Sequence, residues 1–336
     1  DGRAALVQLL ADIAYCSDDQ LGYDPTIYFD KDESWKIQVF QDNGFETFRI
    51  CKVMKAASSI FGRHTRCFRC CRIDAVLSDS IDDRDDNNSD RDDSNVGDDR
   101  YFIVKDAWAF SDRKHDSEQG MRDEVELMRT VNGALQGKEQ FQNRYPTLIC
   151  GGIVQLSDER GGYFDDTEDT ALAALDIASN DKAHPDSYRV HKRMALTPIG
   201  QHISAVKSVD ELIVVAADAM KVYMEIRNSC NILHSDISDN NVLVYRDGEN
   251  NVHGVLIDFD CAIKITDEPR KTTRPVMTGT VPFMSINNLT ESPVCRTALD
   301  DWESIIYLLC WIGTQGVNDS DQLERREKHR LYKLPI

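Results

Sequence analysis

His234-Ser235-Asp236-Ile237-Ser238-Asp239-Asn240-Asn241 is followed downstream by Asp258-Phe259-Asp260. The spacing of Asp236, Asn241 and Asp258 is that of a phosphoryl-transfer site. Such transfer asks for alignment and neutralised charge rather than covalent help. Asp236 is expected to accept a hydroxyl proton and orient the nucleophile, and Asn241 to reach back from the same loop to a metal ion. Asp258 closes the other side of that metal from the end of an expected strand, Gly254-Val255-Leu256-Ile257. Hard oxygen ligands that leave room for water and phosphate suit Mg²⁺. Singly, each is an ordinary loop residue of an Asp-rich chain; together, at these spacings, they are not.

Upstream, Tyr101-Phe102-Ile103-Val104-Lys105 reads as a strand ending in Lys. Ser117 to Val131 follows with a capping Ser and helical apolar spacing. Lys105 and Glu124 are thereby placed for a strand-to-helix ion pair whose Lys meets nucleotide phosphates. Alone, either is an unremarkable surface charge. Gly62-Arg63-His64-Thr65-Arg66 sits where a glycine-rich loop would cover phosphates with its backbone N–H groups. Of a G-x-G-x-x-G pattern only Gly62 remains, with His64 and Cys67 at the other glycine positions.

Residues 36 to 54 alternate apolar and polar positions around Asn43-Gly44, which predicts a hairpin. A second strand pair is expected over Ser59 to Arg66 and Cys67 to Val76. The segment from Asp79 to Asp99 holds ten Asp against two Arg, a charge of -8, and reads as a solvated, disordered insertion. Residues 159 to 188 read as a second polar surface loop, and Val209 to Ser229 as a long helix.

Downstream, Gly279-Thr280-Val281-Pro282-Phe283-Met284-Ser285 and Leu299-Asp300-Asp301-Trp302-Glu303-Ser304 complete an ordered series. With the hairpin, the G-R-x-T loop, V-K-D-x-W around Lys105, H-x-D-I-S-x-x-N and D-F-D, the chain resembles the fungal-type protein kinase family from about residue 36 onward. The resemblance implies an α+β, bilobal fold with a β-rich N-lobe and a mostly helical C-lobe that ends early. It implies ATP and Mg²⁺ as cofactors, and transfer to Ser or Thr of a protein substrate. It implies a catalytic set of Asp236, Lys105, Glu124 and Thr280, with Thr280 hydrogen-bonding near Asp236. Nucleotide would be held by Gly62, Arg63, Thr65, Lys105, Asn241 and Asp258, metal by Asn241 and Asp258, and Asp301 would brace the 234–241 loop. Residues 1–35 then form an N-terminal helical extension, 36–196 the N-lobe with its preceding hairpin and acidic insertion 77–100, and 197–336 an incomplete C-lobe. Met194 to Gly200 would be the hinge between them.

The chain departs from the family pattern. Ser235 replaces the loop Arg, so a phosphate on Thr266, Thr272, Thr273 or Thr278 would lack its usual anchor. Ser238 removes a cation from the transferring phosphoryl group, Asp260 replaces a Gly, and Asn287 stands for the Glu of A-P-E. A pseudokinase acting as a binding module is therefore the second reading. A small-molecule kinase of aminoglycoside-phosphotransferase type is the third, opposed by the peptide-binding segment at Gly279.

The chain has 336 residues, 41% of them hydrophobic, enough for a large core. A net charge of -19 argues against nucleic acid or an anionic membrane as partner. No apolar run is long enough to span a bilayer, and no signal peptide is legible at the amphipathic start, Ala5 to Tyr15. An intracellular location, cytoplasmic or nuclear, is expected, with ten Cys as free thiols. Cys67-x-x-Cys70-Cys71 has only His64 nearby and reads as strand thiols rather than zinc ligands. The absence of an initiator Met and the shortened C-lobe read as a fragment. Oligomeric state is not legible.

Overall fold

The computed structural model describes residues 2–15, 23–55, 64–73, 100–112, 124–158, 161–167, 187–265, 279–290 and 296–314. Helix α1 (Gly2–Tyr15) is followed by β1 (Ile27–Phe29), β2 (Trp35–Gln41), β3 (Gly44–Lys55), β4 (Arg66–Arg72) and β5 (Tyr101–Asp112). The expected hairpin is β2–β3; it turns into Gly44, whose φ of 131° is open to a residue without a Cβ. After α2 (Glu124–Leu135) come β6 (Thr147–Ile153), β7 (Gln155–Asp158), β8 (Gly161–Phe164) and β9 (Ser187–Thr197). One seven-stranded sheet results, in the order β1-β2-β3-β4-β5-β9-β6, with every neighbouring pair antiparallel.

One face of this sheet changes character along its length. Because side chains alternate with period two, Phe102 and Val104 share a face with Asp106, and Ala195 with Arg193 and His191. The first part is apolar, closed by Ile37, Val39, Phe48 and Phe68. The second is polar yet as deeply buried, Arg193 being 0% and Asp106 1% exposed. Its charges are satisfied in place. Arg193 Nε donates to Asp106 at 2.8 Å, Nη1 to the Thr26 hydroxyl at 2.8 Å, and Nη2 to Asp24. His191 bridges Asp106 at 2.7 Å and Asp165 at 2.6 Å, stacked on Trp108.

The second part of the chain runs through β10 (Gln201–His202), α3 (Val209–Cys230), β11 (Ile232–Leu233), β12 (Val242–Arg246), β13 (Val252–Leu256), β14 (Ile263–Lys264), α4 (Ile286–Leu289) and α5 (Ala298–Thr314). Helix α3 starts at Ser208, whose hydroxyl accepts from Glu211 N at 3.1 Å, and stops at Asn231, φ 55°. Both are ordinary cap chemistry. Its buried stripe, Leu212, Val215, Ala219, Val222 and Ile226, packs with Ile305, Leu308 and Ile312 of α5 and with Leu127, Met128 and Val131 of α2. Helix α2 is thus anchored on the core of the helical lobe while its first residue, Glu124, faces the sheet. None of the described helices is long and apolar enough to cross a membrane.

Several boundaries differ from expectation. Strand β5 continues past Lys105 to Asp112, because Asp106 is buried against Arg193 rather than exposed at a strand end. Arg66 opens a single strand, β4, that pairs with β3 and β5; His64 and Thr65 are not in a strand, and Ser59 to Arg63 lie outside the described residues. The 159–188 stretch contains β8, which pairs with β7 just before it, and Asp165 to Thr167 then run against β9. Met194 to Thr197 belong to β9, Met194 to Leu196 held on both sides by β5 and β6 and Thr197 by β6, so the connector to the helical lobe shortens to Pro198-Ile199-Gly200. Helix α2 extends to Leu135, while Ser117, the acidic segment 79–99 and Thr266, Thr272, Thr273 and Thr278 lie outside the described residues.

Candidate active site

The site forms where β5, α2 and two loops of the helical lobe converge. Lys105, on the sheet face opposite Asp106, is 7% exposed. Its Nζ lies 2.8 Å from both Glu124 carboxylate oxygens, 2.8 Å from Asp258 Oδ1 and 3.3 Å from Asp260 Oδ2. Burial by itself would lower the Lys105 pKa, but Asp258, Asp260 and Glu124 hold it well above the ordinary value. Burial and the adjacent Asp260 push Glu124 well up. Glu124, Asp258 and Asp260 present carboxylate oxygens within 4.8 Å of one another.

Asp258 reaches this cluster from the end of β13, with φ 68°. A left-handed backbone is costly for a residue with a Cβ and persists where surroundings over-determine it. Here Ile257 N donates to Asn241 O at 2.9 Å, and the Ile257 carbonyl faces His234 Nε2 at 2.9 Å. The two loops are stitched together at the residue before Asp258.

The 234–241 loop is held from outside. Asp301, at the start of α5, accepts from His234 N and Ser235 N at 2.9 Å each. Ser235 takes φ 68°, and its carbonyl accepts from Arg296 Nη1 at 2.9 Å. Asp236 Oδ1 accepts from both Thr280 N and Thr280 Oγ1 at 2.8 Å. Asn241 Nδ2 donates to the Asp236 carbonyl at 2.8 Å and to Oδ2 at 3.1 Å, which leaves its amide oxygen turned to the other side. Gly279, φ 119°, passes so close that a Cβ there would lie 3.1 Å from the Ser235 carbonyl oxygen. Asn287 donates to Asp300 at 3.2 Å, occupying the place expected of a Glu with a different bond.

The structure therefore brings Lys105, Glu124 and Asp258 into one contact group and Asp236, Asn241 and Thr280 into a second, joined through Ile257. Thr65 is described at the start of the turn into β4; Gly62 and Arg63 lie outside the described residues. Two participants escaped sequence reading. Asp260, noted only as replacing a Gly, faces Lys105; an Asp two places after Asp258 in the same turn was the available clue. Arg296 reaches the loop that lacks its Arg, from a segment with no motif. Among the described residues the buried Ser235 and Ser238 hydroxyls have no hydrogen-bond partner.

A buried strand Lys paired with a helix Glu, facing an Asp-Phe-Asp turn and an H-x-D-x-x-x-x-N loop across a bilobal α+β fold, is the arrangement of a protein-kinase-like fold. The model of the fungal protein kinase family matches residues 2–313, and the chain belongs to that family. No curated protein sequence matches it. Among solved structures, it is similar to vaccinia related kinase 3 at 12% identity and a TM-score of 0.45, over 81% of this chain and 66% of that one. It is also similar to the PK-1 kinase of Cydia pomonella granulovirus at 12% identity and a TM-score of 0.41, over 83% and 74% of the two chains. The chain thus spans about two thirds of the length of the first of these.

Proposed function

We propose that this chain transfers the γ-phosphoryl group of ATP, with Mg²⁺, to Ser or Thr hydroxyls of a protein substrate. The observation that carries the reading is the pair of hydrogen bonds that Thr280 N and Oγ1 donate to Asp236 Oδ1. It ties a carboxylate of the 234–241 loop to the segment that would receive a peptide, and fixes that carboxylate's orientation. In this reading Asp236 accepts the hydroxyl proton and aligns the nucleophile, with Asn241 holding its second oxygen. Lys105, kept charged by its carboxylate neighbours, binds phosphate oxygens, and Glu124 keeps its Nζ in place.

The donor set fits a hard divalent cation: carboxylates of Asp258, Asp260 and Glu124, with the Asn241 amide oxygen on the adjoining loop. Bound there with the nucleotide, Mg²⁺ would neutralise charge developing on the transferred group. Asn241 and Asp258 are the ligands we assign first, and Asp260 stands beside them.

One observation supports the alternative of a nucleotide-binding module with little turnover. Lys105 is shared among three carboxylates, which a phosphate must displace or outcompete. The two readings separate in an assay of Mg²⁺-dependent γ-phosphoryl transfer to a mixture of protein substrates, followed by phosphoamino-acid analysis. Transfer confined to Ser and Thr supports the kinase reading; nucleotide binding without transfer supports the module.

A further inference from the structure

We propose that Cys51 and Cys71 form a covalent-modification site that low-molecular-weight disulfides convert to an intramolecular disulfide. The inference does not depend on phosphoryl transfer. Cys51 lies on β3 and Cys71 on β4, neighbouring antiparallel strands in which Arg49 faces Cys71 and Ile50 faces Cys70. The register slips between Ile50 and Lys52, leaving Cys51 as the extra residue of a bulge. Bulges re-aim side chains, and this one turns Cys51 Sγ to within 3.5 Å of Cys71 Sγ. Closing to a disulfide needs an approach of about 1.5 Å, within reach of side-chain rotation.

The two thiols differ in the way an exchange reaction requires. Cys51 is exposed, whereas Cys71 is 8% exposed. The hydrogen bond from Cys51, with the charges of Arg49 and Arg100, lowers the Cys71 pKa to about 7. The same hydrogen bond holds the Cys51 thiol well up, so once Cys71 ionises near neutral pH the proton left in the pair sits on Cys51. Cys51 meets the reagent, passing its proton to the Cys71 thiolate as its sulfur attacks. The reagent S–S bond breaks, a mixed disulfide forms on Cys51, and one small thiolate leaves. Cys71 then gives its proton to that thiolate and attacks the Cys51 sulfur, expelling the second. Two protein thiols are oxidised, and one external disulfide is reduced to two thiols. The bond would staple β3 to β4, the strand that the candidate phosphate loop, Gly62 to Arg66, leads into.

The test treats the full chain with oxidised glutathione near pH 7, quenches with acid and maps peptides by mass. Wild type should yield a Cys51–Cys71 crosslink lacking two hydrogens and keeping no glutathione. Cys71→Ser should trap glutathione on Cys51. Cys51 should also react about fivefold faster than exposed Cys310, an advantage Cys71→Ser removes. Glutathione retained on Cys51 in wild type, a crosslink between other cysteines, or Cys51 and Cys310 reacting at equal rates would overturn the proposal.

Discussion

Lys105 carries one positive charge against Glu124, Asp258 and Asp260, so the cluster is acidic before any nucleotide arrives. A triphosphate approaching without a cation meets net repulsion on the order of 1 kcal/mol per extra carboxylate in a partly solvated site. Asp260→Asn keeps the side chain's shape and removes one of these charges. Metal-free ATP should then bind roughly fivefold more tightly by calorimetry, while unchanged or weaker binding would show that Asp260 does not oppose the nucleotide. The family position of Asp260 was legible in the sequence, and its contact was not. Whether a carboxylate two residues after Asp258 meets a Lys far back in the chain depends on how β5 and β13 are brought together, which no local spacing encodes. Asp236, Asn241 and Asp258 were legible because their separations are short and their chemistry is restrictive.

Strand β13 presents Asp258, and it can do so because Gly254 lies against helix α3. A Cβ at Gly254 would stand 2.0 Å from the Val215 carbonyl oxygen, a backbone atom that cannot rotate away. Gly254→Ala should cost about 1–3 kcal/mol or more in urea unfolding, as overpacking does; a loss under about 0.5 kcal/mol would mean that β13 is free to shift. The sequence suggested a strand here and a helix over 209–229, since hydrophobic periodicity reports both. It ended a strand at Lys105, inside β5, and began the connector at Met194, inside β9, for a shared reason. Asp106, His191 and Arg193 neutralise one another inside the sheet, and charged residues in a strand give no local sign of such burial. The β7–β8 hairpin, with Gly161 and Gly162 among polar residues, carries too little apolar alternation to announce itself.

At the scale of the molecule, the two lobes meet through α2, whose apolar stripe belongs to the helical core while Glu124 turns to the sheet. Behind the sheet, His191 is faced by Asp106 of β5, Asp165 before β9 and Arg193 of β9, with Asp24 bound to that Arg. Burial and Arg193 oppose its protonation, but hydrogen bonds to both aspartates raise its pKa above 6.5. The sign follows: this stabilisation is full below about pH 6.5, the unfolded value, and is lost as pH rises through the folded value. Thermal midpoints should fall from pH 6.5 to 9 in wild type, and His191→Gln should flatten that slope; an equal slope in both would place the titration elsewhere. In the proposed reading, the hydrogen bonds from Thr280 orient Asp236 toward the substrate hydroxyl. The most direct measurement of that central claim is Mg²⁺-dependent γ-phosphoryl transfer from ATP to protein substrate by wild type and Asp236→Asn, with nucleotide affinity measured alongside. We expect transfer in wild type and a loss of at least about 100-fold in Asp236→Asn with affinity kept; transfer surviving in Asp236→Asn, or absent from wild type that binds ATP, would contradict the account.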